Sequence, residues 1–193
     1  VKKLKDIIGR TDLIEVHAAD ETTKQGTIDF SRLLFKPESK QPLFWDRSEY
    51  TRIEGVKDEF IIKAAAAAIE NKEEVTLDYT IKNTDRAVGT MLSGEIARKY
   101  GEAGLPDGTV NIRFKGSAGQ SFGAFAVHGV SLRLEGETND YFGKGLSGGR
   151  ISILPSVSRS AEFVAEDNII AGNTGLYGAT SGELYVNGQV GER

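Results

Sequence analysis

The chain has 193 residues, 39% hydrophobic and 27% charged, which suits one large domain or two small ones with a real core. Its 24 Lys and Arg against 28 Asp and Glu give a net charge of -4 and argue against a nucleic-acid surface. Cysteine is absent, which excludes disulfides, thiolate nucleophiles and Cys-ligated zinc or iron–sulfur clusters within the chain, and two histidines, His17 and His128, do not make a histidine-rich metal site. No apolar run reaches the roughly 18 residues of a membrane span. The opening VKKLKDIIGR lacks the apolar stretch of a secretory signal. With Val at position 1, the chain reads as a processed product or a piece of a longer polypeptide.

In chain order, LKDIIGRTDLIEV predicts a short helix, a turn at Gly9 and a second apolar patch. ADETTKQGT and KPESKQP read as polar loops around a short apolar anchor, FSRLLF (30–35). LFWDRSEY carries the only Trp, Trp45, read as a packing anchor. The alanine run 64–68 and Asp58 as an N-cap predict a helix over 58–74. VTLDYTI (75–81) alternates like a strand. A second helix is expected after KNTD, with Val88, Met91, Leu92 and Ile96 on one face and Asp85 as a cap. Gly89, Ser93 and Ala97 form a small-residue ridge on it, suited to close approach of another backbone. Gly101 or Gly104 ends it.

From Thr109 on, short β-type runs (TVNIRF, GAFAV, VSLRLEG, GRISILP, EFVA, NIIAGN, GELYVNG) alternate with glycines. Fourteen of the 23 glycines lie between Gly119 and Gly191. Ile112, Leu132, Ile151 and Ile170 recur at steps of 20, 19 and 19 residues, with Leu184 only 14 beyond. Repeats of about twenty residues with glycine corners predict a stacked coil of strands; a sandwich or barrel is the competing arrangement. The expected fold class is mainly β: a right-handed β-helix preceded by a helical, partly extended N-terminal segment. The expected divisions are a lead-in over 1–57, a helical and strand cap over 58–104 and the β-helix over 105–193.

Two motifs invite catalytic readings. Gly143, Gly145 and Gly148 match the dinucleotide fingerprint G-x-G-x-x-G, but GRISILP after them alternates like a strand where a pyrophosphate-binding helix is required. Gly119-Gln120-Ser121-Phe122-Gly123 matches a nucleophile elbow, yet no acid stands between Ser121 and His128, the one histidine downstream. Both are better explained as glycine corners, with Gln120 and Ser121 bridging coils and His128 a corner residue. The acids Asp12, Glu15, Asp78 and Asp140 show no paired-carboxylate pattern.

IGRTDLIE with IDFSRLLF, NTDRAVGTMLSGEIARKYG, GSAGQSFGAF, GKGLSGGRISI and NTGLYGATSGELYVNGQVGER, in this order, resemble the C-terminal GXGXG β-helix domain of the glutamate synthase large subunit. The resemblance spans nearly the whole chain. It implies a right-handed β-helix without catalytic, cofactor-binding or metal-binding residues. Amidotransferase and FMN-binding synthase domains, with FMN and an iron–sulfur cluster, would lie outside the chain. Structural weight would fall on Gly89, Ser93, Ala97, Gly143, Gly145, Gly148, Gly149, Gly178 and Gly182. A cytoplasmic location and possible self-association are further expectations. A scaffold subunit of another multi-component oxidoreductase, such as formylmethanofuran dehydrogenase, and a hydrolase using Ser121 are the alternatives.

Overall fold

The alternating stretches around Ile112 and Leu132 become neighbouring strands in the structure, a computed structural model that describes residues 2–17, 22–24, 26–40, 54–156 and 163–192. The chain divides into two compact units, Val1–Arg52 and Ile53–Arg193.

In the first unit, 3-10 helices at Leu4–Ile7 and Thr11–Leu13 flank a turn at Gly9, close to the sequence expectation. One helical turn, α1 (Ser31–Leu34), begins where Asp29 accepts hydrogen bonds from the Ser31 backbone N–H at 2.8 Å and its hydroxyl at 3.0 Å. Those bonds, the backbone one foremost, hold the Asp29 carboxyl below its usual range. No described residue of this unit is buried. Leu33 and Phe35 are 70% and 71% exposed, so FSRLLF is not a buried anchor here. Trp45 and LFWDRSEY lie outside the described residues.

The second unit is mixed α/β. It contains α2 (Lys57–Asn71), β1 (Val75–Ile81), α3 (Thr90–Tyr100), β2 (Val110–Ala118), β3 (Val130–Thr138), β4 (Ser147–Leu154), β5 (Ile169–Ala171), β6 (Ser181–Val186) and β7 (Gln189–Val190). Among the described residues these strands form one seven-stranded sheet in the order β1-β2-β3-β4-β6, with β5 beside β3 and β7 beside β5. Every strand pairing is parallel.

The register builds columns of like residues. Leu77, Ile112, Leu132, Ile151 and Leu184 lie side by side, and so do Tyr79, Phe114, Leu134, Ile153 and Val186. The middle members are fully buried, each contributing about 1.5–3 kcal/mol of apolar burial. Phe122, from the turn after β2, meets Phe114 edge-on at 5.5 Å, so the turns close over the strands. Ile61, Ala65, Leu92 and Ile96 bring α2 and α3 into the same core.

The repeat differs from the expected one in its last step. Ile151 pairs with Leu184, 33 residues on, while Ile170 lies in β5, alongside the far end of β3. Ala171 then pairs with Val190, restoring a 19-residue step. The extra residues fall between β4 and β5, so β4 and β5 together neighbour β3, and β6 and β7 form the next layer. Two β-type expectations are corrected: GAFAV is mostly a turn, with only Val127 in an isolated bridge, and the described end of EFVA runs into a 3-10 turn at Ala165–Asp167.

Both helices start differently from expectation. Asp58 is the second residue of α2 and does not cap it; Val56 is the N-cap, without a side-chain bond. Instead the Asp58 carboxylate reaches α3, accepting from the N–H groups of Gly89 at 2.8 Å, Met91 at 2.7 Å and Leu92 at 3.2 Å. It thereby satisfies orphan donors of a helix more than thirty residues away. Asp85 caps no helix: it accepts from the Lys82 N–H at 2.9 Å and pairs with Lys57 at 3.5 Å.

Candidate functional site

The glycine-rich segments are stacked turns. Ala87, Ser121, Tyr141 and Thr174 share a left-handed backbone at successive levels. Gly123 donates its N–H to the Val88 carbonyl, Gly143 to Phe122 and Leu176 to Phe142, each at 2.9–3.0 Å. In the same ladder Phe125 donates to the Lys144 carbonyl at 2.7 Å, and Gly145 to Tyr177 at 2.9 Å. The N–H groups of Gly143 and Gly145, which a dinucleotide site would turn toward pyrophosphate, are therefore committed from turn to turn. Gly148 and Gly149 lie inside β4, so the fingerprint leads into a strand.

The glycines make room for neighbouring levels. A Cβ on Gly145 would lie 2.5 Å from the Phe125 ring, and one on Gly143 would lie 2.9 Å from Leu176. On Gly148 it would meet the His128 ring at 2.4 Å, on Gly149 the Ala126 side chain at 2.8 Å, and on Gly182 the Gly149 carbonyl at 2.5 Å. Gly178 faces open space in the last of these turns. Gly89 is the N-cap of α3 rather than a member of its interior. Ser93 is buried and returns its hydroxyl to the Gly89 carbonyl at 2.7 Å. Ala97 is half-buried further along the helix.

Two positions that sequence reasoning missed are tight against backbone. Gly116 and Gly136 sit in register beside Ile81. A Cβ on Gly116 would lie 2.2 Å from the Ile81 carbonyl oxygen, and one on Gly136 would lie 1.9 Å from that of Gly116. Both glycines have positive φ, +129° and +151°. Glycine inside an alternating run was the available signal, since it marks close backbone approach.

Ser121 stands at φ +63° in a turn, with β3 rather than a helix following. His128 and Arg150 line a cleft of about 240 Å³ at the strand starts, with Asp107 and Glu183. Arg150 donates to Glu183 at 2.5 Å, and that bond holds the guanidinium above its usual range. The one arginine of the cleft is thus already paired, and Asp107 adds a second carboxylate. On the outer strand face Arg113 forks onto Asp78 at 2.6 Å and 2.8 Å and keeps that carboxyl below its usual range. Burial has the opposite effect on Asp58: it pushes the carboxyl up, against the pull of three backbone donors. Among the described residues no group of three His, Asp or Glu could hold a metal ion, and no helix is long and apolar enough to cross a membrane.

Parallel strands joined by turns whose glycines interlock level by level define a mixed α/β unit built on one parallel sheet. The chain belongs to the GXGXG motif family, which matches residues 58–193. It is 47% identical over its full length to the ferredoxin-dependent glutamate synthase 2 of Synechocystis sp. and 42% identical to the glutamate synthase [NADPH] large chain of Bacillus subtilis. It is 40% identical, again over its full length, to the glutamate synthase [NADH] of Schizosaccharomyces pombe. The chain is homologous throughout to the C-terminal region of glutamate synthase large chains. It spans 12% of the first two relatives and 9% of the third.

Proposed function

We propose that this chain is the non-catalytic β-helix domain of a glutamate synthase large chain. The in-register parallel stack is read as a right-handed β-helix over 105–193, with 58–104 as its helical and strand cap and 1–57 as a lead-in. It supports an amidotransferase domain that releases ammonia from glutamine. It also supports an FMN-binding synthase domain, with its iron–sulfur cluster, that joins ammonia to 2-oxoglutarate and reduces the product, giving two glutamates. The observation that carries the reading is full-length similarity at 40–47% to relatives named for three different electron donors: ferredoxin, NADPH and NADH. A module common to all three serves something other than donor choice. Its glycine N–H groups are used between turns and its charged side chains pair with one another, which suits a scaffold.

The reading places the chain in the cytoplasm beside those domains. The β6 edge, with no strand beyond it among the described residues, supports self-association of the chain when alone or cover by a partner. The test is removal of this segment from a full-length synthase. The expected result is loss of soluble, coupled glutamate synthesis, while the chain alone shows no glutaminase activity and no calorimetric binding of FMN or NADPH. Micromolar cofactor binding lost on Gly145→Ala, or a truncated synthase of undiminished activity and stability, would refute it.

A further inference from the structure

The second unit presents three distinct surfaces. The outer strand face carries Asp78–Arg113 and Arg150–Glu183 ion pairs. Interface centres are depleted in such charges, so this face suits solvent. The His128 cleft is small, about 240 Å³, and its one arginine is already taken by Glu183. The third surface differs. Across the stacked turns 121–126, 141–146 and 174–179, Phe125, Tyr141, Leu176 and Tyr177 are all exposed, Phe125 by 48% and Tyr177 by 64%.

Three of these four stand in left-handed backbone: Phe125 at φ +58°, Tyr141 at +61° and Leu176 at +58°. Left-handed backbone strains bulky residues, and glycine occupies it freely. The neighbouring levels show that glycine fits here: Gly145 and Gly178 stand level with Phe125, and Gly123 and Gly143 with Leu176, all at positive φ. The chain thus holds large side chains in strained positions, with Phe125 resting over Gly145 and Leu176 over Gly143, and leaves 48% and 37% of them in water. Within the unit their packing covers only part of each side chain; the part still exposed, once covered by a partner, supplies rigid aromatic anchors of the kind that dominate binding energy. The ladder of turn-to-turn hydrogen bonds fixes them in advance, so little ordering is needed on docking. Lys144, 5.7 Å over the Tyr141 ring, puts one positive charge in the patch.

We propose that this aromatic stripe over the stacked turns is the face on which the rest of a glutamate synthase large chain docks, by an apolar surface bearing an acceptor for Lys144. The occupant follows from length, because relatives that contain this whole chain devote 88–91% of their residues to other segments, the complement of its 12% and 9% shares. The inference rests on the reading above.

Because this segment contains no cysteine of its own, one introduced thiol can be followed on its own peptide in either protein. Tyr177→Cys, Tyr141→Cys and, on the outer strand face, Arg133→Cys would each be introduced into the full-length synthase and into this chain alone. Maleimide labelling of each peptide is followed by mass spectrometry, and thermal melts check that each variant folds. At positions 177 and 141 labelling is expected to be about ten-fold or more slower in the full-length protein than in the chain alone, with position 133 equal in both. Slowing at 133 but not at 177 and 141 would move the interface and overturn the proposal while leaving the synthase reading intact. Equal rates at all three positions would overturn the proposal and weaken that reading too. Slow, concentration-dependent labelling at 177 in the chain alone would assign the stripe to a second copy and overturn the proposal.

Discussion

The two ends of the parallel sheet are built from similar residues but finished differently. At the β1 end, α2 and α3 cover the core with Ile61, Ala65, Leu92 and Ile96, all fully buried. Lys57 of α2 donates to the Thr80 carbonyl of β1 at 2.9 Å, and Asp58 ties α2 to the start of α3. At the β6 end no helix adds such residues among the described ones, and Tyr185 is exposed; in both end strands the column members, Leu77 and Tyr79 in β1 and Leu184 and Val186 in β6, are only half-buried, whereas Leu132 and Leu134 between them are fully buried. A column position is thus not enough to bury a side chain. Something must lie on both sides, as expected where each repeat is stabilised mainly by its neighbours.

The largest effect is expected from glycine substitutions that contrast the ends. At Gly136→Ala the added Cβ meets a backbone oxygen held by the sheet, so about 3 kcal/mol or more should be lost, from overpacking and strain together. At Gly188→Ala it would meet the Ile170 side chain at 2.9 Å, which can yield near an open edge, so the loss should be clearly smaller. Denaturant midpoints of the two variants provide the check. Equal losses would mean that the β6 end is as rigid as the middle.

Next comes the cap. Asp58→Ala leaves three N–H groups without their acceptor and should cost about 2–3 kcal/mol, more than Asp58→Asn, which keeps one oxygen. The pH dependence has a definite sign. Burial raises the folded-state value of Asp58 above the unfolded one, so the folded protein holds the proton more tightly. The associated stability is present at acid pH, below the unfolded value, and is lost as pH rises through the raised folded value. Melts of parent and Asp58→Asn across that window should show the slope in the parent and its absence in the variant. An unchanged slope would remove Asp58 from the explanation.

Much of this was legible in the sequence. Alternation marked β1 to β4, and the 20- and 19-residue steps through Ile112, Leu132 and Ile151 are real register steps. Ile170 continued the count by coincidence: the step from Ile151 to Leu184 is 33 residues against 19 before it, the extra 14 carried Ile170 to another part of the layer, and the short last step to Leu184 was their trace in the sequence. Asp58 looked like a cap for its own helix because local spacing is all a sequence displays, whereas its partners are 31 to 34 residues away. The α3 start was placed early because residues before Gly89 form the first stacked turn, a level visible only once the later turns lie beside it. At the glycine turns, spacing alone could not separate phosphate contact from backbone contact; the destination of each N–H does.

The smallest effect should come from the outer strand face. Arg113→Ala removes the fork onto Asp78, but both groups are solvated, and such pairs contribute little. Its melting midpoint should match the parent. A marked fall would show that this face is not simply solvent-facing.

Native-state hydrogen exchange of the chain alone tests the central claim most directly: a parallel stack joined by two helices at its β1 end and, among the described residues, with no strand beyond β6. Amides of Leu132 and Leu134 in β3 should exchange only through global unfolding, while those of Leu184 and Val186 in β6 exchange faster, through local opening. Equal protection in β3 and β6 would contradict the account, because the last layer would then already be closed by the chain itself.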